Sequence, residues 1–61
     1  MLKLGNEFLV YSDSSNLMEI ISFSKDLLGV SFEIAVIQDM LEVEFGIIDH
    51  QHTLRVVIQG L

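Results

Sequence analysis

The sequence predicts one small α+β domain with the element order β-α-β-β-β, in which a single helix packs on a mainly antiparallel sheet. Three observations lead to this prediction: strand-forming residues near the N-terminus, a helical spacing of apolar residues that ends at Gly29, and an alternation of apolar and polar residues after it. A chain of 61 residues is long enough for one domain only, which we take as residues 1–61.

The first predicted strand lies within residues 2–11. The run Phe8–Tyr11 consists of strand-forming residues, and it is apolar at successive positions rather than at alternate ones. Both faces of this strand are therefore expected to be covered, by the fold or by an interface. Gly5 and Asn6 are suited to a tight turn that would pair residues 2–4 with this strand as a small hairpin.

The predicted helix follows a polar connector and extends to about residue 28. Asn16 and Glu19 have the spacing of a capping box, with Asn in place of Ser or Thr, and Asp13 is a competing cap. Gly29 is well placed as the left-handed residue that ends a helix. The apolar residues at helical spacing are Leu17, Ile20, Ile21, Leu27 and Leu28.

The segments 30–37, 41–48 and 53–59 each alternate with a period of two, which is typical of strands that have one buried face. Polar residues separate the three segments and predict short turns. We therefore expect an antiparallel meander. A helix over residues 30–45 is the alternative, but the alternation and the β-branched and aromatic residues near its start favour a strand.

The predicted fold leaves part of its sheet without a cover. One helix is about 10 Å wide, whereas four strands at a spacing of about 4.8 Å form a wider surface. The composition supports the same expectation, since 51% of the residues are hydrophobic and the mean hydropathy is +0.55. A chain of this size buries only about 60% of the surface of its unfolded form, and no cysteine is present to form a disulfide. We therefore expect a homo-oligomer, with a dimer favoured, or an obligate partner.

The charge of the chain limits its partners. Nine acidic residues oppose three basic ones, which gives a net charge of −6 at pH 7. Because nucleic acids and anionic membranes are bound by clusters of Lys and Arg, direct binding to either is not expected. A protein with a basic surface is the expected partner. No segment has the pattern of a signal peptide or of a membrane span, so we expect a cytoplasmic protein.

Four charged residues are predicted to form a polar interaction face. Glu33, Glu42 and Glu44 would share one face of the meander, and Arg55 would lie on the same face of the last strand. Arg55 could pair with one glutamate across the sheet, which leaves the other carboxylates free to meet a basic partner.

An apolar edge is predicted on the first strand, at Phe8, Leu9 and Tyr11. These three side chains are candidates for a contact with another protein, because the strand is apolar on both of its faces.

Two further groups of residues contain side chains with metal-binding or catalytic chemistry. Asp49, His50 and His52 include metal-ligating side chains, but no further ligand has a recognisable spacing, so no metal and no cofactor is predicted. No catalytic motif or phosphate-binding loop is present, and so small a fold offers no evident cleft for paired carboxylates. The chain is therefore not expected to be an enzyme.

These observations favour a small acidic protein-interaction module that acts by binding a partner protein. Inhibitors, immunity or antitoxin-like proteins, phage-type anti-host factors and small subunits of larger assemblies belong to this class. The alternative is a regulatory homodimer that binds a small ligand between its subunits. A mimic of nucleic-acid phosphates is a third reading, and it is weaker because the remaining carboxylates are spread over the helix and the turns.

Overall fold

The structure is a computed structural model that describes residues 1–60, and its element order is β-β-α-α-β-β. The elements are β1 (Leu2–Leu4), β2 (Glu7–Ser12), α1 (Leu17–Leu28), α2 (Val30–Ile37), β3 (Leu41–Ile48) and β4 (Gln51–Ile58). The α+β class and the mainly antiparallel sheet are confirmed. The order β-α-β-β-β is wrong, because a hairpin stands at the N-terminus and residues 30–37 form a second helix instead of a strand.

The four strands form one antiparallel sheet in the order β1-β2-β4-β3. Strands β2 and β4 are central, with Phe8 opposite Val56, and β1 and β3 are the two edges. From β2 the chain runs through the helix pair to the edge strand β3, and it returns through β4 to pair with β2.

Both hairpins depend on residues that tolerate a positive φ. Gly5, with φ of +61°, lies between the paired residues Leu4 and Glu7, so the hairpin predicted at Gly5 and Asn6 is present. Asp49 and His50 connect β3 to β4 with φ values of +50° and +67°. Two consecutive positive φ values are typical of the type I′ turn, whose twist matches that of the flanking strands.

Helix α1 begins at the predicted cap. The Oδ1 atom of Asn16 accepts hydrogen bonds from the backbone N–H groups of Met18 and Glu19, at 3.0 and 3.3 Å. The Glu19 carboxylate accepts a hydrogen bond from the Ser14 hydroxyl, and Ser14 Oγ accepts one from the Asn16 N–H at 3.1 Å. Ser14 therefore relays the reciprocal contact that a capping box would make directly.

Helix α2 replaces the strand predicted over residues 30–37. A single residue, Gly29 with φ of +60°, separates the two helices. The helical turn places Phe32 and Ala35 on the same side, and both are buried in the core. An extended chain would direct these two side chains to opposite faces, so the packing gained by the helix overrides the strand preference of the β-branched residues.

The core lies between the helices and one side of the sheet. We call this side the helix-facing side, and the opposite side the open face. The buried apolar residues are Phe8, Val10, Ile20, Phe32, Ala35, Leu54, Val56 and Ile58. Ser24 is also fully buried, and its hydroxyl donates a hydrogen bond to the Ile20 carbonyl at 2.8 Å, which offsets the cost of burying a polar group. Among residues 1–60, no helix has the length and apolar composition that a membrane span requires.

Candidate functional site

The surface of the chain has many large apolar side chains. Sixteen large apolar side chains are exposed within residues 1–60, whereas the core contains eight buried apolar residues. Scattered apolar residues are normal on a protein surface, but contiguous groups mark sites of interaction. Two groups are contiguous by the geometry of a single element, one on α2 and one on β3.

The group on α2 is a stripe along the outer side of the helix. It consists of Val30, Ile34 and Ile37, which we call the α2 stripe, and these residues are 66%, 46% and 83% exposed. Residues four and then three positions apart lie above one another on a helix. The stripe is therefore directed away from the inner side, where Phe32 and Ala35 are buried.

Further groups extend the surface around the α2 stripe. Val36, on the flank of the helix, is also exposed. The Lys25 Nζ atom lies 3.5 Å from Glu33 Oε1, and this ion pair joins α1 to α2. Lys25, Glu33, Val36 and Ile37 line a depression of about 350 Å³ that is open to solvent. The site is thus an apolar ridge beside a shallow hollow with charged walls.

The second group lies on β3. Val43, Phe45 and Ile47 lie on the helix-facing side. Val43 is opposite Val56 and Phe45 is opposite Leu54 on β4, and both of these β4 residues belong to the core. All three are exposed, although Leu41 at the start of the same strand packs against the core. The helices therefore cover the middle of the sheet and leave most of β3 uncovered.

The open face has a charged centre. The Arg55 guanidinium on β4 forms an ion pair with the Glu7 carboxylate on β2, and its Nη1 atom lies 3.8 Å from Glu44 Oε2 on β3. The expected contact of Arg55 with a glutamate across the sheet is therefore present. The contribution of Glu7 was missed in the sequence, because it depends on the register of β2 against β4, which no local pattern reveals.

Three of the four residues predicted as a polar face do lie together. Glu42, Glu44 and Arg55 are on the open face, since β3 and β4 pair in the register that sets Glu44 opposite Arg55. Glu33 is separate from them, on α2, where it pairs with Lys25. The expectation that Glu33 shares their face is wrong because residue 33 belongs to a helix and not to a strand of the sheet.

The three residues predicted as an apolar edge do not form one. Phe8 is buried in the core, with the Lys3 ammonium 5.5 Å from the centre of its ring. Leu9 and Tyr11 are half-buried on the open face. All three belong to β2, which is a central strand, so the expectation of an edge is wrong. Strand β2 is not an edge because β1 pairs along one side of it and β4 pairs along the other.

The residues considered as metal ligands are spread along the second hairpin. Asp49 and His50 occupy the turn itself, and His52 lies on β4 opposite Ile47. Within residues 1–60, no three His, Asp or Glu side chains are grouped closely enough to hold a metal ion. At this end of the sheet, Asp49 and His50 therefore form the turn between β3 and β4, and His52 is part of β4.

Comparison with known proteins finds no family model, no curated protein and no solved structure that matches the chain. Arguments about function therefore depend on the surfaces of the chain itself. Those surfaces are the α2 stripe, the uncovered part of β3 and the charged open face.

Proposed function

We propose that the chain is a small acidic protein-interaction module, and that it binds a partner protein through the α2 stripe. The observation that carries this proposal is the exposure of Val30, Ile34 and Ile37 on the outer side of a helix whose inner side is already packed. A helix that is apolar on both sides is expected to be buried on both sides. The partner supplies the second cover.

The spacing of the stripe fits a known mode of recognition. Amphipathic helices that dock in an apolar groove use anchors at positions i, i+4 and i+7, which is the spacing from Val30 to Ile34 and Ile37. Complete burial of a Val or Ile side chain contributes about 1.5–3 kcal/mol. Scaled by the exposed fractions of the three residues, their burial would contribute about 4 kcal/mol in total.

That contribution is too small to hold a complex without further contacts. Association costs about 4 kcal/mol or more in lost translational and rotational freedom. The flanking Val36 and the walls of the adjacent depression, Lys25 and Glu33, are placed to add contact area and polar contacts around the stripe. The expected interface therefore has an apolar centre on α2 and a charged rim, as is general for protein interfaces.

The charge of the chain supports a partner with a basic rim. The net charge of −6 would attract such a partner over a distance and raise the rate of association at low ionic strength. Glu42 on the open face contacts no basic side chain within ion-pair distance among residues 1–60, so it adds to this attraction. Salt separates the two contributions to binding. Added salt screens the attraction by the acidic residues and slows association, whereas the apolar contacts of the α2 stripe are retained.

The proposal is tested by capture of binding proteins from the native cells with three tagged forms of the chain. The forms are the wild type, Ile34→Asp on the stripe and Met18→Asp, which makes a comparable change at a 74% exposed residue of α1. We expect one protein to be retained by the wild type and Met18→Asp through a high-salt wash, and to be lost from Ile34→Asp. Equal retention by all three forms would contradict the proposal, as would the absence of any retained protein.

The partner then decides between roles within the class. An enzyme or toxin retained through the stripe would make the chain an inhibitor, an immunity protein or an antitoxin-like protein. A retained host protein would make the chain a phage-type anti-host factor. Retention of the other subunits of an assembly would make the chain a small subunit of that assembly. Each role uses the same apolar anchors, so the stripe variant is informative for all of them.

A further inference from the structure

Strand β3 is an edge that the fold does not protect. It has eight residues and pairs only with β4, so half of its backbone N–H and C=O groups face solvent. Proteins commonly protect such an edge with charged side chains, lysine above all, or with proline, a bulge or a covering loop. The charged residues of Leu41–Ile48 are Glu42 and Glu44, neither Pro nor Lys occurs there, and the residues from Glu42 to Ile48 are all exposed. The opposite edge, β1, has only three residues and includes Lys3.

We propose that β3 pairs antiparallel with β3 of a second copy of this chain, about a two-fold axis that passes Phe45. The two four-stranded sheets then form one sheet of eight strands, with the helices of both copies on the same side. This inference does not depend on the role proposed for the α2 stripe. It rests on the exposed edge and on the register that its charges allow.

The charges of β3 select the register. Two residues that are directly opposite in a sheet direct their side chains to the same side, whereas neighbours along one strand direct theirs to opposite sides. In a symmetric antiparallel pair of strands, one residue must therefore lie directly opposite its own copy, and this residue is the centre of the pair. Centring on Phe45 sets Glu44 opposite Gly46 of the second copy and Glu42 opposite Ile48 of the second copy. No two glutamates are then directly opposed across the new pair.

The neighbouring registers are less favourable. Centring on Glu44 opposes the two copies of Glu44, and centring on Val43 opposes Glu42 to Glu44 twice; like charges directly opposite one another destabilise a sheet. Centring on Gly46 avoids this contact but shortens the paired segment, because the turn at Asp49 is reached sooner. Phe45 is therefore the centre of the longest register in which no glutamates are opposed.

The same register places apolar residues together on the helix-facing side. Phe45 meets Phe45 of the second copy, and Val43 meets Ile47 on either side of it. These are the side chains that the helices leave uncovered. Gly46 has no side chain, which leaves room for Glu44 of the second copy opposite it.

Single cysteines test the register, because the chain has no cysteine of its own. Directly opposed residues have Cα atoms about 4.5–5.5 Å apart, which is within the range of a disulfide. We expect Phe45→Cys to form a covalent dimer under mild oxidation. Val43→Cys is the matched control on the same side of the same strand; its two copies would be four residues apart along the strand, or about 13 Å, and should remain uncrosslinked.

Sedimentation of the unmodified chain over a range of concentrations gives the second readout. We expect a monomer–dimer equilibrium that Ile47→Lys weakens at least tenfold and that Leu4→Lys, on the opposite edge, leaves unchanged. Circular dichroism establishes that each variant is folded. A wild type that remains monomeric at every concentration would overturn the proposal, as would equal crosslinking of Phe45→Cys and Val43→Cys.

The α2 stripe is an alternative surface for dimerisation. The variant Ile34→Asp distinguishes a dimer formed through the stripe from a dimer formed through β3. This variant should lose the captured partner protein and keep the dimer. If Ile34→Asp instead dissociates the dimer while Ile47→Lys does not, the second copy occupies the stripe, and the pairing through β3 is wrong.

Discussion

The assignment of residues 30–37 to a helix makes opposite predictions for two adjacent side chains. In the structure Ala35 is 2% exposed and belongs to the core, whereas Ile34 is 46% exposed on the outer side of α2. In a strand, Ile34 would share the face of Phe32, and Ala35 would lie on the other face. The pair Ala35→Asp and Ile34→Asp therefore distinguishes the two arrangements with the same introduced side chain.

The magnitudes differ enough to be separated. A domain of 61 residues is expected to have a free energy of unfolding of about 3–9 kcal/mol. Burial of an unpaired carboxylate at position 35 costs several kcal/mol, so most or all of that stability would be lost. At Ile34 roughly half of the side chain is already in water, so the loss is about 1 kcal/mol, from a full burial value of about 1.5–3 kcal/mol.

Urea denaturation followed by far-ultraviolet circular dichroism measures both effects. We expect Ile34→Asp to unfold cooperatively at a moderately lower urea concentration, and Ala35→Asp to lack a folded baseline. The reasoning would be refuted if Ile34→Asp were the more damaging of the two, because the apolar alternation would then define the buried face after all.

Three further predictions concern the rest of the fold. Leu54→Ala, at a fully buried residue of β4, should lower the free energy of unfolding by about 2–5 kcal/mol, and Leu4→Ala, 75% exposed on β1, by less than about 0.5 kcal/mol; equal losses in urea denaturation would argue against the core as described. Asn16→Ala should cost about 1 kcal/mol and lower the melting temperature, because the cap of α1 is lost, whereas an unchanged melting temperature would show that the cap contributes nothing. Arg55→Met should cost only about 0.2–1 kcal/mol at low salt, since its ion pairs with Glu7 and Glu44 are exposed, and the difference from the wild type should shrink in 1 M NaCl; a loss that persists in high salt would contradict a role limited to charge.

The features that were predicted from the sequence are those that local chemistry determines. Asn16 and Gly29 delimit α1 because a cap and a left-handed residue act on the backbone next to them. The alternation over residues 41–48 and 53–59 correctly placed Glu44 and Arg55 on one side of a hairpin. The short hairpin at Gly5 could also be predicted from the sequence, since the turn depends on the residues within it.

The features that were missed depend on contacts between distant segments. Residues 30–37 alternate as a strand does, but Phe32 and Ala35 are also three apart, and only packing against the core decides between the two periods. The α2 stripe exists only in the helix, because in a strand Ile37 would lie on the face opposite Val30 and Ile34. The burial of Phe8 and the ion pair of Glu7 likewise follow from the pairing of β2 with β4, whose residues are far apart in the chain.

The proposed function is tested most directly by a photo-crosslinking residue on the α2 stripe. A benzophenone side chain replaces Ile37, which is 83% exposed, and in a matched control it replaces Ser22 on the exposed side of α1. After irradiation in the native cells, we predict one crosslinked protein from position 37 and none from position 22. The same crosslinked protein from both positions, or none from position 37, would contradict the proposal that this stripe binds the partner.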